Sequence, residues 1–182
     1  SVSDWSSDVC SSDLYAVFWD GMPDLNYSTP GVRNTMGNAI EYWLDAGFDG
    51  LRADAVKYLY EDFSAAGSSG FRDQPLTYTH FQQIRSKIID KYAEKADSNG
   101  KKLYKFMVCE NWAESTGSDN YISYMKKDGN AGFNMSLGFP FADASGKLDA
   151  GALNTLWNWE ATTVANAGGW MGDFTSNHDN CT

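Results

Sequence analysis

Basic residues are scarce: 14 Lys and Arg stand against 24 Asp and Glu, a formal charge of -10 in 182 residues. Phosphate-backbone ligands need clustered cations, so nucleic acid is excluded as the partner and a neutral, hydrated substrate fits better. Cysteine is equally thin. Cys10, Cys109 and Cys181 show neither the spacing of a disulfide framework nor that of a metal site, and Cys109, inside an apolar run, reads as an inert core thiol. No stretch reaches the roughly 18 to 20 apolar residues of a membrane helix, and no signal-peptide hydrophobic region is seen. Neither a GxGxxG turn nor a Walker sequence occurs, which takes support from nucleotide-binding folds. Only two histidines are present, and the first, His80, reads as a helix-start residue and nothing more.

Apolar residues make up 42% and aromatic residues 15% of the chain, enough for a real core and compatible with sugar-ring stacking. Residues 1 to 14 stand apart. Their Ser-Ser-Asp repeats have no structural period and abut a hydrophobic run without turn chemistry, as a non-native segment derived from a sequencing adapter would. Tyr15 is then expected to begin in mid-protein. Residues 31 to 182 read as helices alternating with strands.

That reading rests on alternation. Thr29-Pro30 opens a helix whose apolar face is Val32, Met36, Ile40, Trp43 and Leu44, and Gly47 ends it. A strand is expected over Phe48 to Ala53, then a long loop over residues 60 to 77 rich in Gly and Ser. A second helix, about Tyr78 to Ala96, places Phe81, Ile84, Ile88 and Tyr92 inward and stops at Asn99-Gly100. Strands about Leu103 to Cys109, Phe133 to Leu137 and Asp173 to Ser176 follow, separated by helices near Tyr121 to Lys127 and Leu148 to Asn166. Such βα alternation implies right-handed crossovers and a parallel sheet; on pattern alone a doubly wound sheet and a (β/α)8 barrel both stay open, and the missing nucleotide-binding motifs favour the barrel. A whole barrel needs about 250 residues, so the chain is expected to hold roughly half of one, cut at both ends.

In parallel sheets the strand interiors are buried and apolar, so charged side chains at strand ends mark the mouth of a site. Asp54, Glu110 and Asp179 occupy such positions in GLRADAVKY, MVCENW and FTSNHDN. Cleaving an acetal needs one carboxylic acid to protonate the leaving oxygen and a second carboxylate to meet the developing oxocarbenium ion. Arg52, two residues before Asp54 on the same strand face, would keep Asp54 ionised. Glu110, between the apolar run Phe106 to Cys109 and Trp112, would hold its proton. His178 adds a hydrogen-bonding group beside Asp179.

The three segments resemble the conserved regions of the α-amylase family of retaining glycoside hydrolases, and MPDLN, Met22 to Asn26, is similar to that family's signature near the end of the domain inserted after the third barrel strand. The resemblance implies a partial TIM barrel, roughly strands four to seven with their helices, in which residues 15 to 30 are the end of the inserted domain or loop and residues 31 to 182 the partial (β/α)8 catalytic barrel. It implies Asp54 as nucleophile, Glu110 as acid/base, and Asp179 binding the sugar's 2-OH and 3-OH with His178 assisting. Arg52 would hold Asp54, Lys57 would reach the aglycone side, and Trp112 would line the substrate. Carboxyl groups roughly 5 to 5.5 Å apart are expected of retaining enzymes. The substrate implied is an α-glucan such as starch or maltodextrin, with α-1,4 bonds cleaved; starch-sized substrates would favour an extracellular or periplasmic enzyme in a bacterium.

The family's first region, an Asp with Asn-His, lies upstream of Leu14 in the pattern and is absent here. Calcium at the inserted domain's junction then has Asp24 and the Tyr58 carbonyl as local candidates, hard oxygen donors of the kind calcium takes. Asp24 more simply caps the turn around Pro23. An unclosed barrel exposes strand edges, which predicts poor solubility and low activity for the chain alone. Two alternatives remain: an α-glucanotransferase, which shares the same carboxylates and differs in acceptor, and a non-catalytic sugar-binding relative. The second has no chemical need of all three carboxylates with Arg52 and His178.

Overall fold

The computed structural model describes residues 14–19, 21–65, 70–112 and 119–179. The adapter-like segment, Cys10 and Cys181 lie outside them, apart from Leu14. Helix α1 (Pro30–Asp45) leads to β1 (Gly50–Ala53) and a single 3-10 turn (Val56–Tyr58). Helix α2 (Pro75–Ile84) runs on through a π-helical turn (Arg85–Ile89) and a last α-turn (Asp90–Tyr92) into β2 (Phe106–Cys109). After α3 (Asp119–Met125) come the hairpin β3 (Lys126–Lys127) and β4 (Asn130–Ala131), then β5 (Met135–Gly138). Helices α4 (Phe139–Gly146) and α5 (Ala150–Trp159), the latter extended by a π-helical segment (Glu160–Val164), precede β6 (Trp170–Asp173).

The main sheet has the order β1-β2-β5-β6, every pair parallel, with Arg52 opposite Val108, Cys109 opposite Ser136 and Gly138 opposite Asp173. Consecutive strands of the sheet are thus neighbours joined through helical segments, the βα arrangement expected. Among the described residues the sheet does not close: β1 and β6 are both edges. The hairpin β3–β4 turns through Asp128 and Gly129, both with positive φ (51° and 79°), as a two-residue Asp-Gly turn requires.

Helix α1 ends as its sequence suggests. Gly47, at φ 107°, lets the Phe48 amide bond the Trp43 carbonyl at 3.2 Å and the Gly47 amide the Leu44 carbonyl at 3.2 Å, which satisfies the last-turn acceptors. Phe48 is used in that closure, so β1 starts at Gly50 and not at Phe48. Trp43, expected on the inner face, is exposed; the buried member is Leu44, with Ile40 packed behind it. Helix α2 starts earlier than expected, with Pro75 in its first turn, and stops at Tyr92. Asn99-Gly100 instead lies in a turn where Asp97 Oδ1 accepts from the amides of Asn99 and Lys101 at 2.8 and 2.9 Å.

The last strand departs furthest from expectation. It covers Trp170 to Asp173, ending where the sequence pattern starts it, because Gly172 interrupts the hydrophobic run that would have marked it. A side chain at Gly172 would collide with the Met135 thioether of β5, so the close approach of the two strands accounts for the glycine. Helix α4 and the small hairpin were not foreseen.

The core lies between the sheet and α2: Met107 and Cys109 of β2 pack with Phe81, Ile84, Ile88, Ile89 and Tyr92, closed by Leu44, Tyr124 and Phe133. All of the face expected of α2 is buried. Cys109 is a free, buried thiol whose pKa burial pushes up to about 12, consistent with an inert core residue. His80 is a correction. It is buried against the rings of Tyr27, Tyr60 and Phe81, and burial, helped by the Arg33 charge, pushes its pKa down to about 4. A helix-start histidine would stay wet; this one faces inward because α2 begins before it. Phe81 meets Phe133 with ring centres 4.6 Å apart. Phe81→Ala is expected to cost about 3 to 5 kcal/mol, read as a lowered urea midpoint; an unchanged midpoint would place Phe81 outside the stabilising core.

Candidate active site

The site is built where β1 and β2 end side by side. Arg52 and Asp54 leave the same face of the strand, and the Arg52 guanidinium pairs directly with the Asp54 carboxylate. The next residue, Ala55, is forced into the left-handed region at φ 44°, ψ 42°, a conformation that non-glycine residues adopt at some cost. The turn sends the Ala55 amide to Glu110 Oε2 at 2.8 Å. The backbone continues the connection: Glu110 N bonds the Ala53 carbonyl at 2.9 Å and Val56 N bonds the Glu110 carbonyl at 3.3 Å.

Two carboxyl groups therefore face each other in unlike surroundings. The Asp54 side chain is 70% exposed and the Glu110 side chain 12%. At Asp54 partial burial pushes the pKa up, but hydrogen bonds from Arg52 and Glu110 and the positive charges of Arg52 and His178 outweigh it and hold the group below the usual range. At Glu110 burial dominates and pushes the pKa up, opposed by the Ala55 amide and Arg52, with the hydrogen bond and charge of Asp54 adding to the rise. Of the pair, Asp54 is thus biased toward its ionised form and Glu110 toward its protonated form. Both carboxyls reach one guanidinium: Arg52 pairs directly with Asp54, and its Nη2 lies 3.8 Å from Glu110 Oε2.

Asp54, Glu110, His178 and Asp179 line one cleft of about 550 Å³, together with Lys57, Tyr58 and Trp112. Asp179 is not at a strand end. It lies in the loop after β6, with His178 Nε2 3.4 Å from its Oδ2 and its amide held by Asn177 Oδ1 at 3.0 Å. Trp112 is half-exposed and stacks flat on Phe139 at 4.7 Å, and Phe139 meets Phe174 edge-on, so the tryptophan presents a braced face to the cleft. Lys57 touches the cleft, but its ammonium is turned into the protein, 3.1 Å from the Trp112 carbonyl and 3.7 Å from Asp73. Sequence reasoning missed Phe18, Met22 and Arg72 as lining residues. The Arg72 guanidinium lies over the Tyr58 and Phe71 rings at 5.6 and 5.7 Å. For Arg72 the long loop over residues 60 to 77 was the available signal.

Of the two expected calcium donors, Asp24 and the Tyr58 carbonyl, the Asp24 carboxylate is engaged by a backbone amide. Asp24 Oδ2 accepts from the Val17 amide at 2.9 Å, the simpler turn role, and among the described residues no three His, Cys, Asp or Glu converge on one point. No step below passes through a metal.

The family model described as "Alpha amylase, catalytic domain" matches residues 1–181. Among curated proteins, an alpha-glucosidase of Schizosaccharomyces pombe is 26% identical across 97% of this chain and 32% of its own length. A trehalose synthase of Pimelobacter is 36% identical across 51% of this chain and 16% of its own. Among solved structures, the trehalose-6-phosphate hydrolase of Bacillus licheniformis superposes with a TM-score of 0.64 at 22% identity, over 87% of this chain and 29% of that one. Its fold is shared. The chain spans about a third or less of the length of these relatives.

Turnover that needs ionised Asp54 and protonated Glu110 falls on the acid side as Asp54 takes up a proton and on the alkaline side as Glu110 loses its own. Arg52 lowers the pKa of both groups. Arg52→Leu is therefore expected to move both limbs of the kcat/KM pH profile to higher pH; limbs that stay in place, or move down, would separate Arg52 from this electrostatic role.

Proposed function

The chain belongs to the α-amylase catalytic-domain family, and we propose that it is part of a retaining glycoside hydrolase acting on α-glucans such as maltodextrins and starch, at α-1,4 bonds. The observation that carries this reading is a pair of carboxyls that share Arg52 in unlike surroundings, an exposed Asp54 shifted toward its ionised form and a sheltered Glu110 shifted toward its protonated form. That is the division of labour a double displacement needs.

In the first half-reaction Asp54 attacks the anomeric carbon while Glu110 gives its proton to the glycosidic oxygen, so the aglycone leaves as an alcohol and a β-glucosyl ester remains on Asp54. In the second, the Glu110 carboxylate takes a proton from water, the water oxygen bonds the anomeric carbon, and Asp54 departs with its electron pair. Two inversions return the α configuration. Asp179 and His178 would grip the ring hydroxyls of the sugar under attack, and the braced face of Trp112 would pack along it.

A second reading keeps the chemistry and changes the acceptor. The similarity to a trehalose synthase supports transfer to a sugar hydroxyl in place of water. Incubating maltoheptaose with the complete enzyme and with its Glu110→Gln variant separates these outcomes. Shorter products of α configuration, lost in the variant by about two orders of magnitude or more, support the hydrolase. Longer chains or rearranged disaccharides would move the reading to transfer, and an unchanged sugar would favour a binding protein.

A further inference from the structure

Building on the reading of Glu110 as acid/base, we propose that Asp73 is a positioning residue for that reaction: through the buried Lys57 ammonium it holds the Glu110-Asn111-Trp112 segment in register with Asp54. Asp73 stands at the end of the loop before α2, outside every motif that carries the family resemblance, and at φ 53° it occupies the left-handed region. A side chain of this kind persists there when the surroundings over-determine it. They do so with three hydrogen bonds and one ion pair. Its Oδ1 accepts from Tyr124 Oη at 2.9 Å and its Oδ2 from Asn120 Nδ2 at 3.1 Å. Its amide bonds the Lys57 carbonyl at 2.9 Å, its Oδ2 lies 3.7 Å from Lys57 Nζ, and its charge bears on the neighbouring Tyr78 hydroxyl.

The line from Asp73 to the acid is short. The Lys57 side chain is 9% exposed, and its ammonium donates to the Trp112 carbonyl at 3.1 Å, two residues past Glu110. The turn that carries Lys57 is the same one whose Ala55 amide holds Glu110 Oε2 and whose Val56 amide bonds the Glu110 carbonyl. Glu110 is thus tied from both sides to a turn whose buried cation depends on Asp73 for its counter-charge. Without Asp73 that cation is uncompensated and swings toward water, taking its bond to Trp112 with it. Asp73 and the Lys57 ammonium touch no reacting atom in this account; they set where the proton donor points. A general acid must sit within hydrogen-bond reach of the leaving oxygen, so a small displacement penalises proton delivery first.

The test compares two substrates in the complete enzyme. Maltoheptaose needs its leaving sugar protonated, whereas α-glucosyl fluoride releases fluoride without help from an acid. Asp73→Ala is expected to lower kcat/KM for maltoheptaose by about tenfold or more while leaving that for α-glucosyl fluoride within about threefold. Asp73→Asn, which retains the size and the Tyr124 hydrogen bond but not the charge, should fall between wild type and Asp73→Ala on the same axis, and it carries the comparison should the alanine variant not fold. Equal losses on both substrates, or no loss on either, would overturn the proposal. Glu110→Gln serves as reference: if it lacks this substrate selectivity, the reading of Glu110 fails and Asp73 falls with it. If Glu110→Gln is selective and the Asp73 variants are not, only the role of Asp73 is lost.

Discussion

The left-handed turn at Ala55 is the constraint on which the rest of the site depends. A strand that continued straight past Asp54 would carry its next amide away from β2. By reversing there, the chain aims an N–H at Glu110 Oε2 and returns a second amide to the Glu110 carbonyl. Parallel pairing of Ala53 with Cys109 puts the two strand ends level, so one backbone reversal suffices to bring both carboxyls together. The unlike environments of the pair then follow from position. Asp54 looks into open cleft beside Arg52, while Glu110 sits lower, against the turn.

Around this centre the fold supplies rigidity in two shells of different chemistry. Beneath it, β2 contributes Met107 and Cys109 to an apolar core with α2, which anchors the strand that carries Glu110. Beside it, a polar network through Lys57, Asp73, Asn120 and Tyr124 links the loop before α2 to the segment after β2. The net charge of -10 makes such placement of the few cations consequential. Arg52 stands between Asp54 and Glu110, and the buried Lys57 ammonium between Asp73 and the Trp112 carbonyl.

Much of the site was legible because parallel strands leave a simple signature. Glu110 directly follows the apolar run Phe106 to Cys109 and Asp54 follows the end of β1, and a charge at such a place lies at the strand mouth. The inward face of α2 was equally plain from its helical period. Other features were hidden for definable reasons. Gly172 broke the pattern of β6, so the strand was placed too late and Asp179 was assigned to a strand end when it belongs to a loop. Helix α2 begins at Pro75, ahead of the expected start, so His80 lies within the helix as a buried residue and not at its start. Lys57 was readable as a residue near the cleft but not as an internal cation, since its partners Asp73 and Trp112 come from a loop and from the next strand's end. Contacts of that kind are set by tertiary structure and leave no local periodicity.

The central claim is that Asp54 becomes covalently glucosylated while Glu110 moves the proton. The most direct measurement is rapid quenching of the complete enzyme's Glu110→Gln variant after exposure to α-glucosyl fluoride, followed by peptide mass mapping. With a leaving group that needs no acid and no base to activate water afterwards, a hexosyl ester should accumulate on the peptide carrying Asp54. A hexosyl increment on another residue, or none while fluoride is still released, would contradict the account.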